Sequence, residues 1–391
     1  MLNTSFAPWP SFTEEEAEAV SRVLLSNRVN YWTGEECKAF EREFAAWTGT
    51  RHAVAMANGT LALDAVWPAL DIREGDEVIC TPRTYCASAS SIAMAGARPI
   101  FADVDLDSQN ITPKTVEPLI TSRTRAIMCV HLAGWPSDME GFAELARKHD
   151  LKLIEDCAQA HGASINGRSV GSFGDVNAWS FCQDKIMTTG GEGGMVTLDD
   201  EETWKKIWSR KDHGKSWAAV HNREHAPGFR WLHESWGSNW RLTEMQATIG
   251  RIQLKRMPEW HSARKRNAEM LREGLQGIES LRNPEVPAHI EHAWYKFYTF
   301  VRLEALKSGW SRDRIMNAII DAGVPCYSGS CPEVYREKVF VEAGLAPLQR
   351  LPRAMELGET SLMFLIHPTL TQDEIGKTID VVTKIMMEAT R

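Results

Sequence analysis

The sequence predicts an α/β protein. A large domain holds a mostly parallel, seven-stranded sheet sandwiched by helices, and a smaller α+β domain follows at the C-terminal side. Three observations predict this. Seven short apolar runs between residues 52 and 198 alternate with helical stretches, the rhythm of a doubly wound sheet. Most of these runs are apolar on both faces, as strands buried between helix layers are. The texture then changes near Met257-Pro258. At 391 residues the chain exceeds one simple hydrophobic core, so the expected units are 1–257 and 258–391.

The elements follow in order. Thr13 and Glu16 in TEEEAEAVSRVL form a capping box, and the acids of that first turn suit a helix N-terminus. The expected strands are HAVAM, EVIC, RPIFADV, RAIMCVHL, KLIEDC, NAWSFC and GGMVTL. Beyond Pro258 come a charged helical stretch, the strand-like YKFYTFVRL, a helix from Ser311 to about Ala322, and a last helix opened by Thr371 in TQDE.

Composition narrows the function classes. The chain is 43% hydrophobic and 25% charged, with a formal net charge of −8. That balance fits an ordinary globular protein and argues against nucleic acid or an anionic membrane as the main partner. No apolar run reaches transmembrane length. The opening MLNTSFAPWP lacks a basic segment followed by an apolar one, so no signal peptide and a cytoplasmic location are expected. The eight cysteines include no CxxC pair, so neither a disulfide framework nor a metal site is expected, and a reduced thiol packs as a small hydrophobe. The 15 tryptophans are scattered, as core or interface residues with a few pocket walls would be.

Ligands of open α/β sheets gather at the carboxyl ends of strands. After HAVAM, Asn58-Gly59-Thr60 opens a helix. Its free N–H groups and positive dipole end suit a phosphate, or the turn is merely a connection. After EVIC, Tyr85 either stacks on a flat ring or packs on the sheet. KLIEDC ends in Glu155 and Asp156, with Gln159 and His161 just beyond. Side chains alternate along a strand, so the two acids face opposite ways. One can meet a ligand while the other makes a structural contact, and Asp156 can equally cap a helix. Ser180 and Lys185 follow NAWSFC and precede Gly190, Gly191, Gly193 and Gly194. These glycines permit tight turning or close approach to a ligand. A P-loop is excluded, because the lysine precedes the glycines. Alone, Lys185 reads equally as a solvated cation.

Together, a phosphate cradle, a stacking residue, a carboxylate and a lysine at successive ends of one sheet suit pyridoxal 5′-phosphate. Its aldehyde needs a lysine, and its ring nitrogen needs a carboxylate to stay protonated. The stretches NGTLALDAV, TPRTYCASASSI, IEDCAQAHGA, GSFGDVNAWSF with the TTGGEGGMV block, and GSNWRLTEMQATIGRIQL carry a likeness over nearly the whole chain. It resembles the DegT-type sugar aminotransferases, pyridoxal phosphate enzymes of the aspartate-aminotransferase fold.

The resemblance implies roles. Lys185 would form the Schiff base and then move the proton, and Asp156 would pair with the ring nitrogen. Gln159 would lie near the phenolic oxygen, and Tyr85 on the opposite ring face. Gly59, Thr60 and Ser180 would bind the phosphate. Asn239 in GSNWR would reach the phosphate of a neighbouring subunit, which implies a homodimer with shared sites. L-glutamate would donate the amino group and a nucleotide-linked keto-sugar would accept it.

Two features depart from the pattern. A His-Tyr element usual in the small domain is replaced by GVPCYSGSCPEVYREKVF, with Ser328, Ser330 and Cys331, which leaves the sugar open. The Trp- and His-rich stretch 211–236 lies either near the sugar nucleotide or against a dimer partner. Other readings are a sugar dehydratase on the same scaffold, whose members replace the lysine with histidine, and a catalytically silent binding or regulatory protein. An NAD-dependent oxidoreductase lacks its GxGxxG motif here.

Overall fold

A computed structural model describes residues 6–391; Met1–Ser5, part of the stretch read for a signal peptide, lie outside the described residues. The first five strands are β1 (His52–Met56), β2 (Glu77–Cys80), β3 (Arg98–Phe101), β4 (Thr124–Val130) and β5 (Lys152–Asp156). Two short strands follow, β6 (Ser164–Ile165) and β7 (Arg168–Ser169), then β8 (Val176–Ser180) and β9 (Gly194–Leu198). The seven longer ones form one sheet in the order β1-β9-β8-β5-β4-β2-β3. They coincide with the seven apolar runs of the sequence to within a few residues at their ends.

All neighbours in this sheet are parallel except those of β9, which runs against β1 and β8. Parallel pairing requires a crossover. The link from β8 to β9 is the glycine-rich loop that carries Lys185, with no helix in it, so β9 returns antiparallel. The loop therefore stays at the carboxyl end of β8. Both faces of the sheet are covered. Val54, Met56, Val78, Ile154 and Ala178 enter one core cluster, while the alternate residues Ala53, Ala55, Trp179 and Met195 enter another.

The expected capping box opens the helix Glu14–Leu25, and the structure adds a second, Thr371 with Glu374, at the start of the helix Gln372–Ala389. A helix of 31 residues, Glu244–Gly274, runs continuously through Met257-Pro258. Its N-terminal half packs on the core beside Lys185's loop, and Ala268 and Leu271 pack in a separate cluster further on. There β10 (Leu281–Arg282), β12 (Phe297–Val301), β13 (Cys326–Tyr327) and β14 (Ser361–Phe364) form an antiparallel sheet in the order β10-β12-β14-β13. The intervening β11 (Ile290–Glu291) pairs with β6 of the N-terminal part. Only β12 of the C-terminal sheet is foreseen from sequence, since strands of two to four residues leave no period to read. Among the described residues, no helix is long and apolar enough to cross a membrane.

Candidate active site

At the carboxyl edge of the large sheet a cavity of about 580 Å³ opens. Gly59, Thr60, Tyr85, Asp156, Gln159, Ser180 and Lys185 all line it. They come from the ends of four strands, β1, β2, β5 and β8, far apart in the sequence.

The N-terminus of helix Gly59–Ala69 closes one end. Asn58 caps it, accepting the Leu61 N–H at 2.9 Å, and the Ala62 N–H takes the Asn58 carbonyl. The first two amides, Gly59 and Thr60, are left facing the cavity at the positive end of the helix. Glycine is required at 59 because a Cβ there would stand 2.6 Å from the Ser180 Cβ. That close approach brings the Ser180 hydroxyl beside the two amides, a cradle fitted to a phosphate.

Asp156 lines the same cavity and is 5% exposed. Its Oδ2 accepts from Ser88 Oγ at 2.8 Å and its Oδ1 from the Ala158 N–H at 3.1 Å. Ser88 Oγ in turn lies 2.9 Å from Thr84 Oγ1. No helix begins at Asp156, so it does not act as a helix cap; one oxygen organises its own turn, and the other faces Ser88. Burial raises the carboxyl above its usual range, although the bonds from Ser88 and Ala158 and the charge of Lys185 oppose the shift. A protonated ring nitrogen is the cationic donor that such a carboxylate lacks. The cradle and the buried carboxylate, both lining one cavity, fit pyridoxal phosphate.

Gln159 commits its Oε1 to the Ala133 N–H at 2.8 Å, which leaves its NH₂ for a ligand. Tyr85, at the start of helix Cys86–Met94, is 72% exposed on the cavity rim. Lys185 is held by its backbone: its N–H donates to the Cys182 carbonyl, and Trp9 Nε1 donates to the Lys185 carbonyl at 2.8 Å. Its Nζ lies 3.4 Å from Asp184 and 5.4 Å from the Tyr295 ring centre. The Tyr295 hydroxyl donates to the other Asp184 oxygen. The loop's glycines work as the sequence suggests, since Gly190 and Gly191 adopt φ of 84° and 118°, open to glycine at little cost.

Glu155 and His161 are not among the residues lining the cavity. Glu155 is fully buried on the opposite face, where it accepts the N–H groups of Gly171, Phe173 and Gly174 at 2.7–2.9 Å. His131 Nε2 also lies 3.0 Å from it, while His131 Nδ1 accepts the Ser137 N–H. The His131–Glu155–Cys157 cluster thus has its histidine and carboxylate lone pairs engaged by the protein. His161 is buried between Trp179 and Phe181.

Asn239 stands apart from this cavity. It is exposed, and pairs across an antiparallel bridge with Asp212 at the base of the excursion 211–236. Within that excursion Trp217 packs on Trp204 and Trp208, while Phe229, Trp231 and Trp236 are exposed. In the departing segment, the Ser328 carbonyl accepts from Ser361 Oγ and the Ser330 N–H donates to the Tyr298 hydroxyl. Cys331 packs half-buried against the first core cluster. Sequence reasoning missed Thr84, Ser88, Asp184 and Tyr295. A serine one helical turn beyond Tyr85 was the available signal for Ser88; Tyr295 carried none.

Comparison with known proteins supplies relatives. Residues 10–383 match the DegT/DnrJ/EryC1/StrS aminotransferase family. The chain is 34% identical over 385 residues to a UDP-N-acetyl-3-dehydro-α-D-glucosamine 3-aminotransferase of Acidithiobacillus ferrooxidans, covering 98% of this chain and 96% of the relative. It is similar to the crystal structure of an aminotransferase from Psychrobacter cryohalolentis at 58% identity, with a TM-score of 0.97 and coverage of 98% and 99%. The structure of DesV from S. venezuelae, in complex with a ketimine intermediate, matches at 33% identity and a TM-score of 0.85, over 95% of this chain and 94% of that one.

Proposed function

Because the chain belongs to the DegT/DnrJ/EryC1/StrS aminotransferase family, whose members are pyridoxal phosphate enzymes, we propose that it transfers the amino group of L-glutamate to a keto-sugar carried on a nucleotide. The product would be an amino sugar for a surface glycan, a lipopolysaccharide or a natural product. The named relatives support the substrate class: one acts on a UDP-linked 3-keto sugar, and another is GDP-perosamine synthase of Escherichia coli O157:H7, 32% identical over 366 residues. The active unit is proposed as a cytoplasmic homodimer. The large domain would run to residue 257 and the small one from 258.

The observation that carries the reading is the convergence of Lys185, Asp156 and the Gly59 helix terminus on one cavity. When bound, pyridoxal phosphate supplies an aldehyde for imine exchange and a ring that accepts an electron pair. In this reading the amides of Gly59 and Thr60 and the Ser180 hydroxyl hold its phosphate. Asp156 keeps the proton on the ring nitrogen, and Ser88 keeps Asp156 pointed at it. Tyr85 covers one ring face, while Gln159 offers its NH₂ to the phenolic oxygen. Lys185 Nζ would hold the cofactor through its aldehyde and, once the donor has displaced it, would accept the proton of the donor's α-carbon and pass it on. The second half runs the same steps in reverse on the sugar.

The test is an absorbance spectrum of the purified protein. A visible cofactor band that bleaches on adding glutamate, and returns with one keto-sugar nucleotide, is the expected result. A protein that takes up no pyridoxal phosphate would sink the proposal.

A further inference from the structure

We propose that Asp212 is a positioning residue for the cofactor phosphate of the neighbouring subunit, fixing the segment that presents Asn239. This rests on the proposed homodimer, with Asn239 reaching the partner's phosphate as the family resemblance implies.

The Asp212 side chain is completely buried. Its Oδ1 accepts from Arg241 Nη1 at 2.6 Å and from Lys215 Nζ at 3.1 Å. These cations lie on either side of the excursion, one just after it begins and one just after it returns. The backbones of the two limbs are paired at the same height. Ser238 N–H donates to the Arg210 carbonyl at 2.9 Å, His213 N–H to the Ser238 carbonyl at 3.0 Å, and Trp240 N–H to the Lys211 carbonyl at 3.0 Å. Asp212 and Asn239 are the bridged pair between them.

Register is what the carboxylate decides here. In an extended segment successive side chains point to opposite faces. Trp240 is half-buried beneath the Arg210 guanidinium, 5.5 Å from its ring centre. Asn239 lies on the other face, the one it shares with Asp212 opposite it and with Arg241, and it is exposed. A slip of one residue would exchange the faces of Asn239 and Trp240. A buried carboxylate shared by two cations contributes little net stability compared with apolar packing, but it is directional, and register is the best-attested use of such a group. The excursion between the two limbs also exposes Trp231 and Trp236, apolar surface that a second subunit could cover.

The same segment touches its own subunit's cradle. The Trp240 carbonyl accepts the Ala57 N–H at 2.8 Å, and Arg241 bridges Met56, two and three residues before Gly59. An effect of Asp212 on cofactor binding could thus travel within a subunit or across to the partner. Mixed dimers separate the two routes.

The experiment measures pyridoxal phosphate held by each chain, trapped by borohydride on Lys185 and read by mass. Asp212→Asn homodimers should hold the cofactor about tenfold less tightly, the worth of one charge-assisted hydrogen bond to phosphate. Asp212→Asn chains coexpressed with excess Lys185→Ala chains face an Asn239 held by an intact Asp212. Trapping on the Asp212→Asn chain should then return to the wild-type level. Asn239→Ala, alone and mixed with Lys185→Ala, should show the same loss and the same recovery. Should Asp212→Asn chains not fold, Arg241→Lys replaces them with the same expectation. Wild-type retention by Asp212→Asn homodimers overturns the inference. So does a loss that mixing fails to repair while Asn239→Ala is repaired, since Asp212 then acts within its own subunit. If Asn239→Ala itself holds the cofactor normally, the shared-site reading falls and takes this inference with it.

Discussion

Ser88 Oγ donates to Asp156 Oδ2 at 2.8 Å, joining the first turn of a helix after β2 to the end of β5 across 68 positions of sequence. Asp156 is nearly buried and its carboxyl is raised by that burial. The serine therefore both aims the carboxylate and favours its charged form. Ser88→Ala should keep the fold and still take up cofactor, while turnover drops about tenfold or more, as expected for one lost bond to a charged group of about 1.5–3 kcal/mol. Steady-state kinetics beside a cofactor titration check this; unchanged turnover would separate Ser88 from the chemistry.

Lys185→Ala should abolish transamination. Among the described residues the side chain's ion pair is with Asp184, itself 59% exposed, so the melting temperature should stay near wild type. Measurable turnover in the alanine variant would remove Lys185 from its role.

Gly59→Ala should weaken cofactor binding, since its Cβ would collide with Ser180 and push apart the two walls of the phosphate cradle. Gly376 makes the contrast. It lies within the helix Gln372–Ala389, where an added methyl group would meet no described atom within 4 Å. Gly376→Ala should therefore stabilise by about 0.5–1 kcal/mol and leave cofactor affinity alone. Equilibrium dialysis and thermal melts read both effects.

Glu155→Gln should cost about 3–5 kcal/mol, the range for uncoupling a buried charged group from its partners. The carboxylate accepts three backbone N–H groups of the turn 171–174 and faces His131, and an amide NH₂ would point a donor at other donors. The expected outcome is a large fall in melting temperature with cofactor binding retained at low temperature. A melt equal to wild type would contradict the assignment.

Burial lowers the His161 imidazole to about 3 from its usual 6.5, and its ring nitrogens have no partner among the described residues. Between those values the unfolded chain binds a proton that the folded chain does not. Stability is therefore lost as pH falls across that window, by up to about 1.4 kcal/mol per pH unit for one proton. His161→Phe, packed against Trp179 and Phe181, should flatten the fall in stability from pH 6.5 toward about 4. Denaturant titrations at several pH values measure it, and parallel slopes for both proteins would count against the claim. His292 and His367, also lowered to about 3 by burial, contribute equally to both.

Much of the candidate site was legible because polar residues at successive strand ends converge on one edge of the sheet: Gly59-Thr60, Tyr85, Asp156, Gln159, Ser180 and Lys185 all reach the cavity. The alternation rule also put Glu155 and Asp156 on opposite faces, as the structure has them, without saying which one lines the cavity. Illegible were the partners that hold these groups. Asp184 meets Tyr295 across 111 positions, and a hydroxyl that far away leaves no pattern near the lysine. His161 reads as a site residue by proximity in sequence, yet the chain turns it under the sheet.

Sequence alone determined the class of fold and the chemistry, because buried parallel strands need apolar residues on both faces and a lysine–carboxylate–phosphate set is demanded by one cofactor. Tertiary structure decided which acid lines the cavity, which hydroxyl bonds it, and that Asn239 stands apart from the cavity of its own chain. Those outcomes depend on hydrogen bonds and close packing between segments far apart in the chain, and local pattern carries no record of distance in space.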